Sequence, residues 1–133
     1  MMQSPRSQRE EKHNTLCEEL LRERSAVLGR AGMAVEDALA ELAKLDHEIQ
    51  IKKDQLKSLK FQEQCPDRLN EQQAAIDEIN GRIDQYNAVR KRAQLKYYYL
   101  IVTREALGLR RHDLIQEIYI IPVKKKKYRL SNG

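Results

Sequence analysis

Six apolar residues follow one another at steps of seven through the first half of the chain, and this repeat constrains the fold more than any other feature. A heptad repeat of this kind keeps one stripe of a long helix facing a partner helix. We therefore predict long paired helices and interpret the six residues as partner contacts. They are Leu21, Leu28, Val35, Leu42, Ile49 and Leu56.

A second heptad frame follows Pro66. Continuing the first frame from Leu56 would place Glu63 and Asn70 on the apolar stripe, so the register breaks near the proline. Proline disfavours a helical residue before it and fits the first turn of a new helix. We expect a second helix from Pro66 to about Leu107, with Gly108 as its C-cap. Its apolar stripe comprises Leu69, Ile76, Ile79, Ile83, Tyr86, Tyr97, Leu100 and Leu107.

The two predicted helices have similar lengths. We predict an all-α fold, a long antiparallel helical hairpin (a coiled coil) over residues 9–108 that is broken at Pro66. Helix 1 is expected to begin between Arg9 and Asn14 and to end near Gln64, after a disordered lead over residues 1–8. About 40 residues span roughly 60 Å of helix. A kinked continuous rod is the alternative.

The pattern changes after Gly108, and residues 109–133 are expected to hold a short helix, an extended segment and a basic tail. Leu109 to Glu117 fits a short helix. Ile118 to Val123 is β-branched and aromatic, which predicts an extended or β segment. Pro122 restricts that segment to an edge strand.

Positive charge is concentrated at the C-terminal end. The chain carries a net charge of +5, but residues 88–133 alone hold 12 Lys/Arg against 3 Asp/Glu. A basic surface can bind phosphates, an anionic membrane or an acidic protein, or it can simply be solvated. The candidate residues for an anionic partner are Arg90, Lys91, Arg92, Arg110, Arg111, Lys124, Lys125, Lys126 and Lys127.

The segment from Tyr97 to Val102 is the most apolar part of the second helix. Its three tyrosines and three aliphatic residues cover every face of a helix, and a two-helix hairpin cannot bury them all. One interpretation is a local core with residues 109–123 folded over it. The other is a docking surface, since aromatic residues are enriched at interfaces. We assign Tyr97, Tyr98, Leu100 and Ile101 to partner binding. Stacking of nucleic-acid bases on the tyrosines is a third interpretation.

The sequence gives little support for catalysis, and we predict no catalytic, cofactor or metal site. His13, His47 and His112 are isolated, and neither a His-x-x-x-His pair nor a Cys-x-x-Cys motif is present. Two separated cysteines and an N-terminus without an apolar signal core predict a cytoplasmic or nuclear protein that is not secreted.

The C-terminal junction resembles a known family. Residues 104–111 (REALGLRR), then LIQEIYIIP over residues 114–122 and Tyr128-Arg129-Leu130, carry the likeness. They resemble the coiled-coil-to-C-terminal junction of the UV-resistance-associated and autophagy-specific subunits of class III phosphatidylinositol 3-kinase complexes. That resemblance implies a non-catalytic subunit whose coiled coil pairs with a beclin-like partner and helps to place a lipid kinase on membranes.

Together these features predict a non-enzymatic coiled-coil adaptor or scaffold that binds other coiled-coil subunits, with no small-molecule substrate. The alternative is a nucleic-acid-associated subunit that uses the basic C-terminal end, which could also contact an anionic membrane.

Overall fold

The computed structural model describes residues 4–60 and 68–129. Three helices appear in these ranges: α1 (Pro5–Lys60), α2 (Arg68–Ala106) and α3 (Asp113–Ile118). The two long helices pack against each other. Pro66 and the predicted end of helix 1 at Gln64 lie outside the described residues.

Three ion pairs across the interface show that α1 and α2 are antiparallel. Glu41 pairs with Arg92, and Lys52 pairs with Glu78. Between them, the Arg82 Nη1 atom lies 3.1 Å from the Glu48 Oε2 atom. Residue numbers therefore fall along α2 as they rise along α1. The helical hairpin is confirmed, and a continuous rod is excluded because a rod would separate these partners by tens of ångströms.

The heptad residues in the middle of α1 form the core, as predicted. Val35, Leu42, Ile49 and Leu56 are each at most 2% exposed. Burying an aliphatic side chain of this size contributes about 1.5–3 kcal/mol. Around them lie other buried side chains: Ala38 and Leu45 from α1, and Ile76, Ile79, Ile83, Tyr86, Val89, Ala93 and Leu100 from α2.

The two seams are not buried over their full length. Leu21 is 63% exposed and Leu28 is half-buried. The reason is that α2 ends beside this part of α1, as the residue numbers of the cross-helix ion pairs show. Leu69 is 79% exposed in the first turns of α2. A heptad repeat marks a helix face that can pair, but its residues are buried only where a partner helix lies beside them along the helix axis.

The N-terminal boundary of α1 corrects the predicted lead. The helix begins at Pro5, so residues 5–8 are helical. The N–H of Ser7 donates to the Ser4 side-chain oxygen at 3.2 Å, and the N–H of Gln8 donates to the Ser4 carbonyl at 3.1 Å. Serine at the N-cap with proline at the first helical position is a strong start signal, which the heptad argument overlooked.

Gly108 ends α2 as predicted. It has a φ of +85°, a left-handed conformation that glycine adopts without steric cost. The N–H of Leu109 donates to the Arg104 carbonyl at 2.9 Å, and that of Gly108 donates to the Glu105 carbonyl at 3.0 Å. This pair of bonds is a Schellman motif. A short helix does follow, but it runs from Asp113 to Ile118.

Of the two forms predicted for the C-terminal segment, extended or β, the β form is not supported: residues 119–129 form no strand. We call this extended stretch the strap. Tyr119, Pro122, Lys125 and Tyr128 make its contacts with the hairpin. Because these contacts recur every third residue, the strap lacks the two-residue alternation of a β-strand.

Candidate partner-docking surfaces

Two asparagines on α2 hold the strap by its backbone. Asn87 donates through Nδ2 to the Lys125 carbonyl and accepts from the Lys125 N–H through Oδ1, both at 2.9 Å. Asn80 does the same for Tyr128, at 3.3 and 2.7 Å. Seven helical residues rise about 10.5 Å, and three extended residues cover about 10 Å. The spacing of the asparagines therefore matches that of the two strap residues, and no second strand is needed.

Side chains of the strap add contacts to both long helices. The Tyr119 hydroxyl donates to Glu36 Oε1 at 2.8 Å, and the hydrogen bond to this carboxylate raises the pKa of Tyr119. The Lys125 Nζ atom lies 2.6 Å from Asp46 Oδ1 and 4.8 Å from the centre of the Tyr86 ring. Burial raises the pKa of Tyr86, although the charge of Lys125 opposes that change. The strap thus bridges α1 and α2.

A long part of α1 has no other helix beside it within residues 4–60 and 68–129. Every residue from 8 to 27 is exposed, a length of about 30 Å. We call residues 8–27 the α1 extension. It carries apolar side chains that are 38–63% exposed, namely Leu16, Leu20, Leu21 and Val27. Leu16, Leu20 and Val27 continue the helical spacing of the buried face, so the seam extends past the end of its intramolecular partner.

The tyrosine segment of α2 divides between core and surface. Leu100 is buried, whereas Tyr97 and Ile101 are half-buried. Tyr98 and Tyr99 are 61% and 51% exposed, and their ring centres lie 6.1 Å apart. With Leu95 and Val102, which are also exposed, they form an i, i+3, i+4, i+7 stripe on the outer side of α2. We call these four residues the α2 stripe.

The predicted partner-contact residues therefore occupy different environments. Val35, Leu42, Ile49, Leu56 and Leu100 are buried inside the hairpin. Leu21 and Tyr98 remain exposed. The buried members cannot meet another protein without opening the hairpin.

The basic residues also divide into two groups. Arg92 is paired with Glu41, Arg90 donates through Nε to the Pro122 carbonyl at 2.6 Å, and Lys125 is paired with Asp46. These three side chains stabilise the fold. The other six candidate residues are exposed: Lys91, Arg110, Arg111, Lys124, Lys126 and Lys127.

The histidines are not gathered into a site. Within residues 4–60 and 68–129, no group of three His, Cys, Asp or Glu side chains is arranged to hold a metal ion. His112 instead accepts a hydrogen bond from Arg104 Nε at 3.3 Å and contacts Glu105 Oε1 at 3.2 Å. These contacts fasten the turn between α2 and α3. Nor does any helix in the described parts of the chain combine the length and apolar character needed to cross a membrane.

No protein-family model, curated protein or solved structure matches this chain. The resemblance to the lipid-kinase subunits therefore stays a prediction.

Proposed function

We propose that this chain is a non-enzymatic helical adaptor subunit of a multiprotein complex, and that the α1 extension receives a helix of a partner protein. One observation carries the proposal: the apolar seam that α2 covers in the hairpin continues, uncovered, along α1. Leu16, Leu20 and Val27 lie on that continuation and are 38–54% exposed. A partner helix in line with α2 would bury them as α2 buries Leu42.

A charged residue within the uncovered seam indicates the chemistry of the partner helix. Arg24 occupies the seam between Leu20 and Val27, and it is exposed. A parallel second copy in register would place Arg24 against the same arginine, which is unfavourable. Arg24 thus favours a different helix over that parallel copy, one with apolar residues toward Leu20 and Val27 and an acidic residue toward Arg24. The beclin-like coiled coil implied by the family resemblance is one candidate of this class.

A nucleic-acid-associated subunit is the second candidate. It is supported by the exposed lysines of the strap, Lys124, Lys126 and Lys127, together with Arg110 and Arg111. Three to five phosphate contacts would give modest affinity without base specificity.

Three variants of the full chain test the proposal. Leu20→Asp puts a charge on the uncovered seam, and Ala26→Asp puts the same charge off the seam, about 120° around the same exposed helix from Leu20. A third variant replaces Lys124, Lys126 and Lys127 by glutamine. Because all the changed residues are exposed, each variant should melt close to the unmodified protein.

The readout is a pull-down from native extract, quantified by mass spectrometry. We expect Leu20→Asp to lose the helical partner that Ala26→Asp and the lysine variant retain. If Leu20→Asp keeps every partner while the lysine variant loses them, the adaptor proposal is refuted and the basic end becomes the binding site.

A further inference from the structure

A second concave surface lies between α1 and the C-terminal end, away from the α1 extension. It is an open groove of about 510 Å³. Leu39, Leu42 and Ala43 form its α1 wall, and Ile118, Ile120 and Val123 form the wall opposite. We call it the strap groove.

The outer wall of the strap groove consists of apolar side chains that the fold leaves uncovered. Ile118, Ile120 and Val123 are 65%, 71% and 80% exposed. The strap turns Tyr119, Lys125 and Tyr128 toward the hairpin and leaves Ile120 and Val123 outside, next to Ile118 at the end of α3. An interaction site typically has several large, mostly exposed aliphatic side chains beside an apolar cleft, as this groove does.

Charge at the rim narrows the choice of partner. Lys124 lines the groove and is exposed, and Lys126 and Lys127 follow it along the strap. The carboxylate that lines the groove, Asp46, is paired with Lys125. The rim therefore presents a net positive charge, which favours an acidic ligand and disfavours a basic one.

The shape of the groove favours a helix as the ligand. Its α1 wall runs from Leu39 to Asp46, about 10.5 Å or two helical turns. Ala43 is small and lies in the middle of that wall, so a helix can approach α1 closely. The groove has room for side chains rather than for a whole helix, which matches an amphipathic helix that inserts its apolar face.

We propose that the strap groove binds an acidic amphipathic helix of a partner protein, which inserts apolar side chains between Ala43 and Val123 and places carboxylates beside Lys124, Lys126 and Lys127. This surface is separate from the α1 extension. With both occupied, the adaptor would connect two different helices, one on the uncovered seam and one beside the strap.

The test uses the full chain and a fluorescent synthetic 18-residue peptide. The peptide carries leucines at i, i+3, i+4 and i+7 with glutamates on the flanks, and a matched peptide has lysine in place of every glutamate. Binding is measured by fluorescence anisotropy at two salt concentrations. We expect the acidic peptide to bind and the basic peptide to bind at least tenfold more weakly.

Variants of the protein locate the binding site. Val123→Asp and Ala43→Trp should each weaken binding of the acidic peptide at least tenfold. The first places a carboxylate against the glutamates of the peptide, and the second fills the groove. Both residues are exposed, so the fold should persist, and an unchanged melting curve checks this. Glutamine at Lys124, Lys126 and Lys127 should weaken binding several-fold and flatten its salt dependence.

Two controls carry the same charge change at other uncovered apolar sites. Leu20→Asp alters the α1 extension, and Leu95→Asp alters the α2 stripe; these leucines are 45% and 47% exposed. We expect both to bind the acidic peptide within twofold of the unmodified protein.

Loss of binding in either control, equal binding of the two peptides, or unchanged binding in Ala43→Trp would overturn the strap-groove proposal. So would dimerisation in sedimentation equilibrium that Val123→Asp abolishes, because the occupant would then be a second copy. Loss of binding in Leu20→Asp alone would instead place the acidic peptide on the α1 extension. The other outcomes do not bear on partner binding there, which the pull-down of Leu20→Asp tests separately.

Discussion

Asn87 binds both backbone groups of Lys125, and each of the two hydrogen bonds is 2.9 Å long. A side-chain amide thereby takes the place that a neighbouring β-strand would occupy. Asn80 repeats the arrangement two helical turns away, at Tyr128. The extended end of the chain is thus held to a helix by paired hydrogen bonds along its backbone.

Replacing Asn87 by alanine should loosen the strap without opening the hairpin. The change removes two half-buried hydrogen bonds, each with a net contribution of about 0.5–1.5 kcal/mol. We expect faster amide hydrogen exchange at Lys125 and its neighbours, with little change at Ile49 and Ile83 in the core. Gln94→Ala, an exposed change on the same helix, is the control. Equal protection of the strap in both variants would show that Asn87 does not hold it.

The seam can be tested at Leu42, which is 2% exposed between the two helices. Leu42→Ala should lower the free energy of unfolding by about 2–5 kcal/mol, because it removes buried surface and leaves a cavity. Lys44→Ala, at an exposed position two residues away, should change it by less than about 0.5 kcal/mol. Urea denaturation followed by circular dichroism measures both. Similar midpoints for the two variants would contradict the core assignment.

The contact between Tyr119 and Glu36 should make stability depend on alkaline pH. The hydroxyl donates to a carboxylate, which raises the pKa of Tyr119 in the folded chain above its ordinary value of 10.0. The contribution is therefore fully present below about pH 10 and is lost as the pH rises through the raised pKa. At high pH a tyrosinate would face Glu36, and the contact would become repulsive.

Comparison with Tyr119→Phe isolates this effect, since the two proteins share every other titrating group. At pH 8 the unmodified protein should be the more stable one in thermal melts. Its advantage should shrink as the pH rises beyond about 10 and then reverse. An advantage that stays constant from pH 8 to pH 11 would mean that the hydroxyl does not contribute through Glu36.

The heptad repeat predicted the hairpin and the central core, because the spacing of apolar residues reports directly on the face that a helix buries. It did not predict where burial stops. Leu21 and Val35 occupy equivalent heptad positions, yet only Val35 lies beside α2. That difference depends on where the second helix ends, which the sequence of the first helix does not specify.

The strap was harder to predict because its contacts are not made through an apolar pattern. Ile118, Ile120 and Val123 look like strand residues, but they are the ones left exposed. The relevant signal was in α2, where two asparagines lie seven residues apart on one face. Asparagines in a helix usually face solvent, so the pair becomes informative only once an extended segment lies beside it.

Asparagine amides that bind only backbone cannot distinguish one residue from the next, so the strap could in principle slide by three residues and form the same bonds. Pro122 prevents one such slide. Moved into register with Asn87, it would offer a carbonyl but no N–H, and one of the two hydrogen bonds would be lost. In its observed position Pro122 makes a hydrogen bond only through its carbonyl, which accepts from Arg90 Nε, so the missing N–H is not required. The proline, which was expected to limit a strand, therefore blocks movement of the strap in one direction along α2.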